Sequence, residues 1–178
     1  MNGKAYIIAS SNLWLFNPSD NSFTNIVNGL PEGMNFTTMF SISDRIFIGT
    51  GEVAYAQSFA DVATTAVYEF NPLTKIFSKR ANFSGKARRL ASAFSLNNKG
   101  YLLTGETLNQ VNANTYQYDR INDMWEYDPI ADSWTASQSY PGLGTLYHAV
   151  ASSNEVVIIG AGAGPGYGSF ASDFWTFK

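Results

Sequence analysis

The side chains best suited to chemistry gather in a few places. Arg88 and Arg89 are adjacent, and either could hold a carboxylate in a two-point fork. Tyr147 and His148 are adjacent, and His148 is the sole histidine. Arg88, Glu106 and His148 would supply the groups for acid–base work, but no spacing joins them into a set. Structural roles compete with each. An arginine can bond sheet carbonyls near a channel, and His148 shares a repeat position with Thr37 and Ala91 inside a strand.

A second group is aromatic. Tyr55 and Phe59, Tyr116 and Tyr118, and Tyr167 and Phe170 fall in three long intervening segments. Asn109, Gln110, Asn112, Asn114 and Gln117 surround the middle pair. Rings beside amides suit contacts to a sugar or a peptide. The same rings would also serve to pack those segments onto a sheet.

Two further stretches invite a reading and resist it. Gly160–Gly168, GAGAGPGYG, is rich in glycine like a phosphate loop. It lacks the Gly-Lys-Ser/Thr ending, and no helix start follows to hold a phosphate. It reads as a strand end and a loop. The segment 112–128 carries Asp119, Asn122 and Asp123, but not the spacing of a calcium loop. Turn chemistry accounts for it.

The elements that must position these residues are repeated. Trp14 precedes Phe23 by nine residues in LWLFNPSDNSF, Tyr68 precedes Phe77 in VYEFNPLTKIF, and Trp125 precedes Trp134 in MWEYDPIADSW. Each copy reads aromatic-x-[Phe/Tyr]-[Asn/Asp]-Pro, a short polar turn, then an aromatic. Asn-Pro and Asp-Pro open turns, and the alternation before them marks a strand. Each copy is therefore a hairpin, and a fourth copy begins at Phe174. Upstream lie AYIIAS, IFIGTGE, YLLTGE and VIIGAG, three of them preceded by FTTMFSIS, LASAFSLN or LYHAVASS. Phe40 to Phe47, Phe94 to Tyr101 and Ala151 to Ile158 are each seven apart. The unit is four strands over about fifty residues, a period typical of arrays and propellers.

Composition narrows the function. The 178 residues make one sizeable core, with 45% hydrophobic and 14% charged residues. Aromatics at 15% suit a pleated sheet surface. Net charge is −3 and no basic stripe exists, which argues against nucleic acid. No apolar run reaches the length of a membrane span, and no secretory leader is visible. The absence of cysteine removes disulfides and thiolate metal sites. Asn35-Phe36-Thr37 and Asn82-Phe83-Ser84 match the glycosylation sequon, at a frequency chance supplies.

The glycine-bearing second strand followed by an aromatic third strand and a fourth-strand Trp resembles the kelch repeat. The copy from Leu90 to Trp134, with KGYLLTGE and NDMWEYDPIADSW, is closest. The resemblance covers the whole chain and is greatest to bacterial, galactose-oxidase-like kelch proteins. It implies an all-β fold, a single kelch-type β-propeller domain of about four blades. The blades fall near 1–33, 34–86, 87–143 and 144–178, the middle two complete and the outer two with three strands each. Ser10 stands where other copies have Gly51, Gly105 and Gly162. Such a chain is a part of a larger propeller, one completed by a second copy, or an imperfect four-bladed ring. Self-association through open blade edges follows from the second case.

In such a meander the strand 2–3 loops and the blade-to-blade crossings share one face. The loops run four residues from Ser10 to Trp14, but 17, 20 and 13 in the later copies. Long loops on a rigid scaffold carry function. The expected role is a non-catalytic module without cofactor, recognising a glycan or protein through Tyr55, Phe59, Tyr116, Tyr118 and Tyr167 of those loops. Arg88, Arg89, Tyr147 and His148 of the crossings complete the site. The copper-radical chemistry of galactose oxidase needs a cross-linked cysteine and two histidines, which this chain lacks. A sialic acid epimerase-like activity, known in another bacterial kelch protein, needs no metal and stands as the enzymatic alternative. A structural role in assembly is a third. The resemblance is compatible with a cell-surface or periplasmic parent protein.

Overall fold

The computed structural model describes residues 3–54, 61–112, 115–142, 146–153, 155–164 and 168–178. Its strands form four antiparallel sheets in chain order. The first holds β1 (Ala5–Ala9), β2 (Asn12–Asn17) and β3 (Ser22–Val27). The second holds β4 (Thr38–Ile42), β5 (Arg45–Gly49), β8 (Val67–Asn71) and β9 (Ile76–Lys79). Between β5 and β8 a separate hairpin stands out, β6 (Glu52–Ala54) with β7 (Asp61–Ala63). The third sheet repeats the plan with β10 (Ser92–Leu96), β11 (Lys99–Leu103), β14 (Met124–Asp128) and β15 (Ser133–Ala136). Its inserted hairpin is β12 (Glu106–Asn112) with β13 (Thr115–Arg120). The fourth holds β16 (Ala149–Ser152), β17 (Val157–Gly160) and β18 (Phe174–Phe177).

The strand patterns follow from where each strand lies. β4 and β10 alternate, burying Thr38, Phe40 and Ile42 in one and Ser92, Phe94 and Leu96 in the other. The second strands of the two middle sheets, β5 and β11, are covered on both faces, so they read as apolar runs; Ile46, Phe47 and Ile48 are all buried. The turns behave as their composition requires. The Asn71 side chain accepts the N–H groups of Leu73 at 2.9 Å and Thr74 at 3.2 Å. Asp128 accepts those of Ile130 at 2.8 Å and Ala131 at 3.1 Å. Each side chain bonds the backbone just past it, which is how Asx residues close a turn.

The sheets stack through three apolar layers, and the repeated aromatics form them. Tyr6 of the first sheet meets Phe70 of the second edge-on, centroids 6.4 Å apart. Phe40 and Phe47 of the second meet Tyr127 of the third at 6.2 and 5.2 Å. Phe94 and Tyr101 of the third meet Phe177 of the fourth at 5.5 and 5.1 Å. Trp134 pairs across the strands with Tyr127 and reaches Phe40 of the neighbouring sheet at 6.3 Å. Trp125 faces Ala136 in the ladder rather than Trp134, and Phe83 joins the two indoles at 5.5 and 5.1 Å.

Candidate functional site

The crossings between sheets and the ends of the second strands meet on one face. Asn35 pairs with Glu52, Arg89 with Glu106 and Leu146 with Ala163, each as an isolated antiparallel bridge. Two successive left-handed residues turn the chain into each bridge. They are Thr50 and Gly51, Thr104 and Gly105, and Ala161 and Gly162. The glycines sit at φ 101°, 97° and 106°. A Cβ there would lie 2.4 Å from the Asn35 carbonyl, 2.7 Å from that of Arg89 and 2.5 Å from that of Leu146. Only glycine fits both the backbone angle and the close approach. The Thr-Gly-Glu motif thus delivers Glu52 and Glu106 to the crossings.

The crossings answer with arginine. Arg89 donates from Nε to Glu106 Oε1 at 2.9 Å and from Nη1 to Glu52 Oε1 at 2.6 Å. Arg120 of β13 lies 3.6 Å from Glu106 Oε2. Both carboxylates are buried. Two negative and two positive charges alternate, so the cluster is locally neutral and each charge is partnered. Burial draws the Arg89 pKa down, but the Glu106 hydrogen bond and the Glu52 charge outweigh it and the net shift is upward. Its guanidinium lies 4.0 Å from the Tyr118 ring centroid and 5.5 Å from that of Phe36. The carboxylates that the sequence promised to Arg89 are the chain's own.

The same holds for Arg88, which is wholly buried. It forks onto Asp123, with Nη2 to Oδ2 at 3.0 Å, and donates to the carbonyls of Thr104 and Lys86, each at 3.0 Å. Its guanidinium rests 4.8 Å from the Phe83 centroid. Asp123 also takes the indole N–H of Trp125 at 2.9 Å. As a ligand fork Arg88 is therefore corrected: it ties the crossing to the start of β14 and offers no open face.

Beside this cluster runs a groove of about 470 Å³, within the size range of small-molecule sites. Phe36, Leu90 and Tyr147 rim it, and Met39, Ala93 and Val150 from β4, β10 and β16 lie deeper. The three rim residues occupy one repeat position, each just past a bridge, and each has a left-handed backbone, with φ of 50°, 56° and 58°. Phe36 and Tyr147 are 51% and 64% exposed. His148 lines the groove too, its Nδ1 3.2 Å from Ser92 Oγ and 3.3 Å from Thr104 Oγ1. Its ring stands edge-on to Tyr140 at 4.9 Å. Burial lowers its pKa, against a smaller upward pull from Asp173.

The sequence-predicted residues thus divide. Arg89, Tyr118, Tyr147 and His148 gather at the groove and its flank, with Glu106 behind them. Tyr116 lies in β13 opposite Gln110. Tyr55, Phe59 and Tyr167 lie outside the described residues. Arg88 and His148 both reach Thr104, at its carbonyl and its hydroxyl, while Glu106 bonds Arg89. Phe36 and Glu52 were missed, although the recurrence of Thr-Gly-Glu could have marked Glu52. Among the described residues no cluster of three acidic or histidine side chains could hold a metal.

No protein-family model matches the chain, and no curated protein does. Among solved structures it is similar to one named "Structure of YjhT", with a TM-score of 0.78 at 16% identity. The fold is of the β-propeller type. The likeness covers 100% of this chain and 60% of the length of that protein. Each main sheet is then a propeller blade, and β4, β10 and β16 face the groove.

Proposed function

We propose that this chain is a non-catalytic binding module of kelch-type repeats that takes a glycan in the groove between Phe36 and Tyr147. The observation that carries the reading is the pair of exposed rings held at one repeat position in a strained backbone. A left-handed conformation costs a bulky residue free energy, and such strain concentrates at ligand clamps.

The surroundings favour a sugar. Flat aromatic faces stack on the apolar side of a pyranose, and hydroxyl and imidazole groups bond its rim. Ser92 and His148, which both line the groove, supply those groups. The neighbouring charges cancel, so a neutral ligand meets no net field. A catalytic reading draws no support from the geometry, because the acidic side chains at the site are committed to arginines.

The test is saturation-transfer NMR of the full chain with galactose, glucose and N-acetylglucosamine, repeated with Phe36→Ala and Tyr147→Ala. Transfer to at least one sugar, clearly reduced in both variants, is expected. No transfer to any of the three would overturn the glycan reading. Faster interconversion of N-acetylneuraminate anomers in the presence of the protein would replace it with an enzymatic one.

A further inference from the structure

A second cleft, of about 630 Å³, opens in the joint between the two four-stranded blades, and it shares no lining residue with the groove. One wall is Ser84, Gly85 and Lys86, on the crossing that leads from β9 to β10. The other is Arg120, Asn122 and Trp125, where β13 gives way to β14. Gly85 brings the main chain close against the aromatic end of the cleft. A Cβ there would meet the Phe83 ring at 2.6 Å and the Trp125 indole at 2.9 Å.

The lining is rich in donors that the fold leaves unused. The main-chain N–H groups of Ser84, Gly85 and Lys86 bond to no described residue, and neither do the Ser84 hydroxyl and the Asn122 carboxamide. Lys86 is exposed and makes no ion pair among the described residues. Arg120 is held more loosely than Arg88 and Arg89. Its Nε lies 3.6 Å from Glu106 Oε2, and its Nη1 is buried with no hydrogen-bond partner. A buried donor left unpaired is costly, so a small turn of this guanidinium toward an incoming acceptor is favoured. The lining holds one carboxylate, Asp123, and Arg88 and Trp125 already occupy both its oxygens. Two cations therefore line the cleft, and no free carboxylate does.

We propose that this cleft binds a small organic carboxylate. Its charge meets the Lys86 ammonium and the Arg120 guanidinium, and its apolar body lies against Trp125. Hydrogen bonds from a cation to a carboxylate are shorter and stronger than neutral ones, and a guanidinium offers its N–H groups in one plane to both oxygens. The Trp125 N–H is already given to Asp123, so the indole offers the ligand its apolar surface. That surface, with Ile121 beside it, favours an organic acid over an inorganic anion. The site is independent of the glycan reading, because a sugar held between Phe36 and Tyr147 touches none of these residues.

The experiment is amide-resolved NMR of the full chain titrated with benzoate, with benzamide as its neutral match and inorganic phosphate as a tetrahedral anion. Benzoate is expected to shift the main-chain amides of Ser84, Gly85 and Lys86 and the Trp125 indole N–H, and to saturate. Lys86→Gln and Arg120→Gln should each weaken that binding at least about fivefold, the loss of one charge-assisted contact. Benzamide should leave the same signals in place. Arg120→Gln also releases Glu106, so Lys86→Gln, at an exposed side chain without an ion pair, decides alone if the other variant fails to fold. Benzoate shifts that do not saturate at these amides overturn the proposal, as do equal shifts from benzamide or undiminished binding in Lys86→Gln. Tighter binding of phosphate than of benzoate overturns it too, since the cleft would then select tetrahedral anions.

Discussion

The buried guanidinium of Arg88 and the half-buried carboxylate of Asp123 meet in a fork, 35 residues apart in sequence. The Trp125 indole N–H closes the cluster on the carboxylate side, and the Phe83 ring covers the cation. Removing one partner of such a pair leaves the other charge uncompensated. Arg88→Met should destabilise the chain by about 1–3 kcal/mol, read from urea denaturation, because the partly exposed Asp123 carboxylate keeps some of its hydration. Arg88→Met with Asp123→Asn should recover part of that loss. Burial pushes the Asp123 pKa up, but Arg88 and Trp125 outweigh it, and the net shift lies below the ordinary 3.8. The fork's contribution is therefore present above about pH 4 and is lost as the pH falls through the folded value. The double variant should lack that acid sensitivity.

His148 gives a second, separate pH dependence. Its folded pKa lies below the ordinary 6.5 because burial disfavours the charged ring. As the pH falls below about 6.5, the unfolded chain takes the proton first. Stability therefore declines from neutral pH toward the folded pKa and levels off below it. With one histidine in the chain the effect has one source. Urea midpoints measured between pH 7 and 5 should slope in the parent and stay flat in His148→Asn.

Gly105 is a steric requirement of the Thr-Gly-Glu turn. An added methyl meets the Arg89 carbonyl at 2.7 Å in a backbone of φ 97°. Gly105→Ala should cost about 1–3 kcal/mol in stability. Ser10→Gly, at φ 47° in the first blade, should instead be neutral or mildly stabilising. Thermal midpoints of the two variants compare the positions directly.

The rim residues should separate binding from folding. Tyr147→Gly removes an exposed ring and relieves a left-handed backbone of φ 58°. Its thermal midpoint should hold or rise, by up to about 1–2 kcal/mol of stability. Sugar binding should weaken about threefold to tenfold, the value of one stacking contact. A fall in stability with unchanged binding would assign the ring a packing role.

The sequence by itself determined the repeat, the four-stranded unit and the face on which crossings and loops meet. Those follow from short-range rules. A period of two fixes which side chains share a sheet face, and Asn-Pro or Asp-Pro fixes the turn beyond it. The aromatics at Phe70, Tyr127 and Phe177 were legible as recurring motif positions, and the structure shows them interlocking neighbouring sheets. What only the tertiary structure decided is which charges meet. Arg88 and Arg89 are neighbours in sequence, yet one is sealed against Asp123 and Phe83 while the other bridges Glu52 and Glu106 between Phe36 and Tyr118. The partners lie 17 to 37 residues away, Glu106 and Asp123 in the same repeat and Glu52 in the one before. Sheet twist and the close glycine turns bring them together, and no local periodicity encodes either. Phe36 escaped notice because a single exposed ring beside a strand has no pattern of its own. It gains meaning only when the blades set it opposite Tyr147 across the groove.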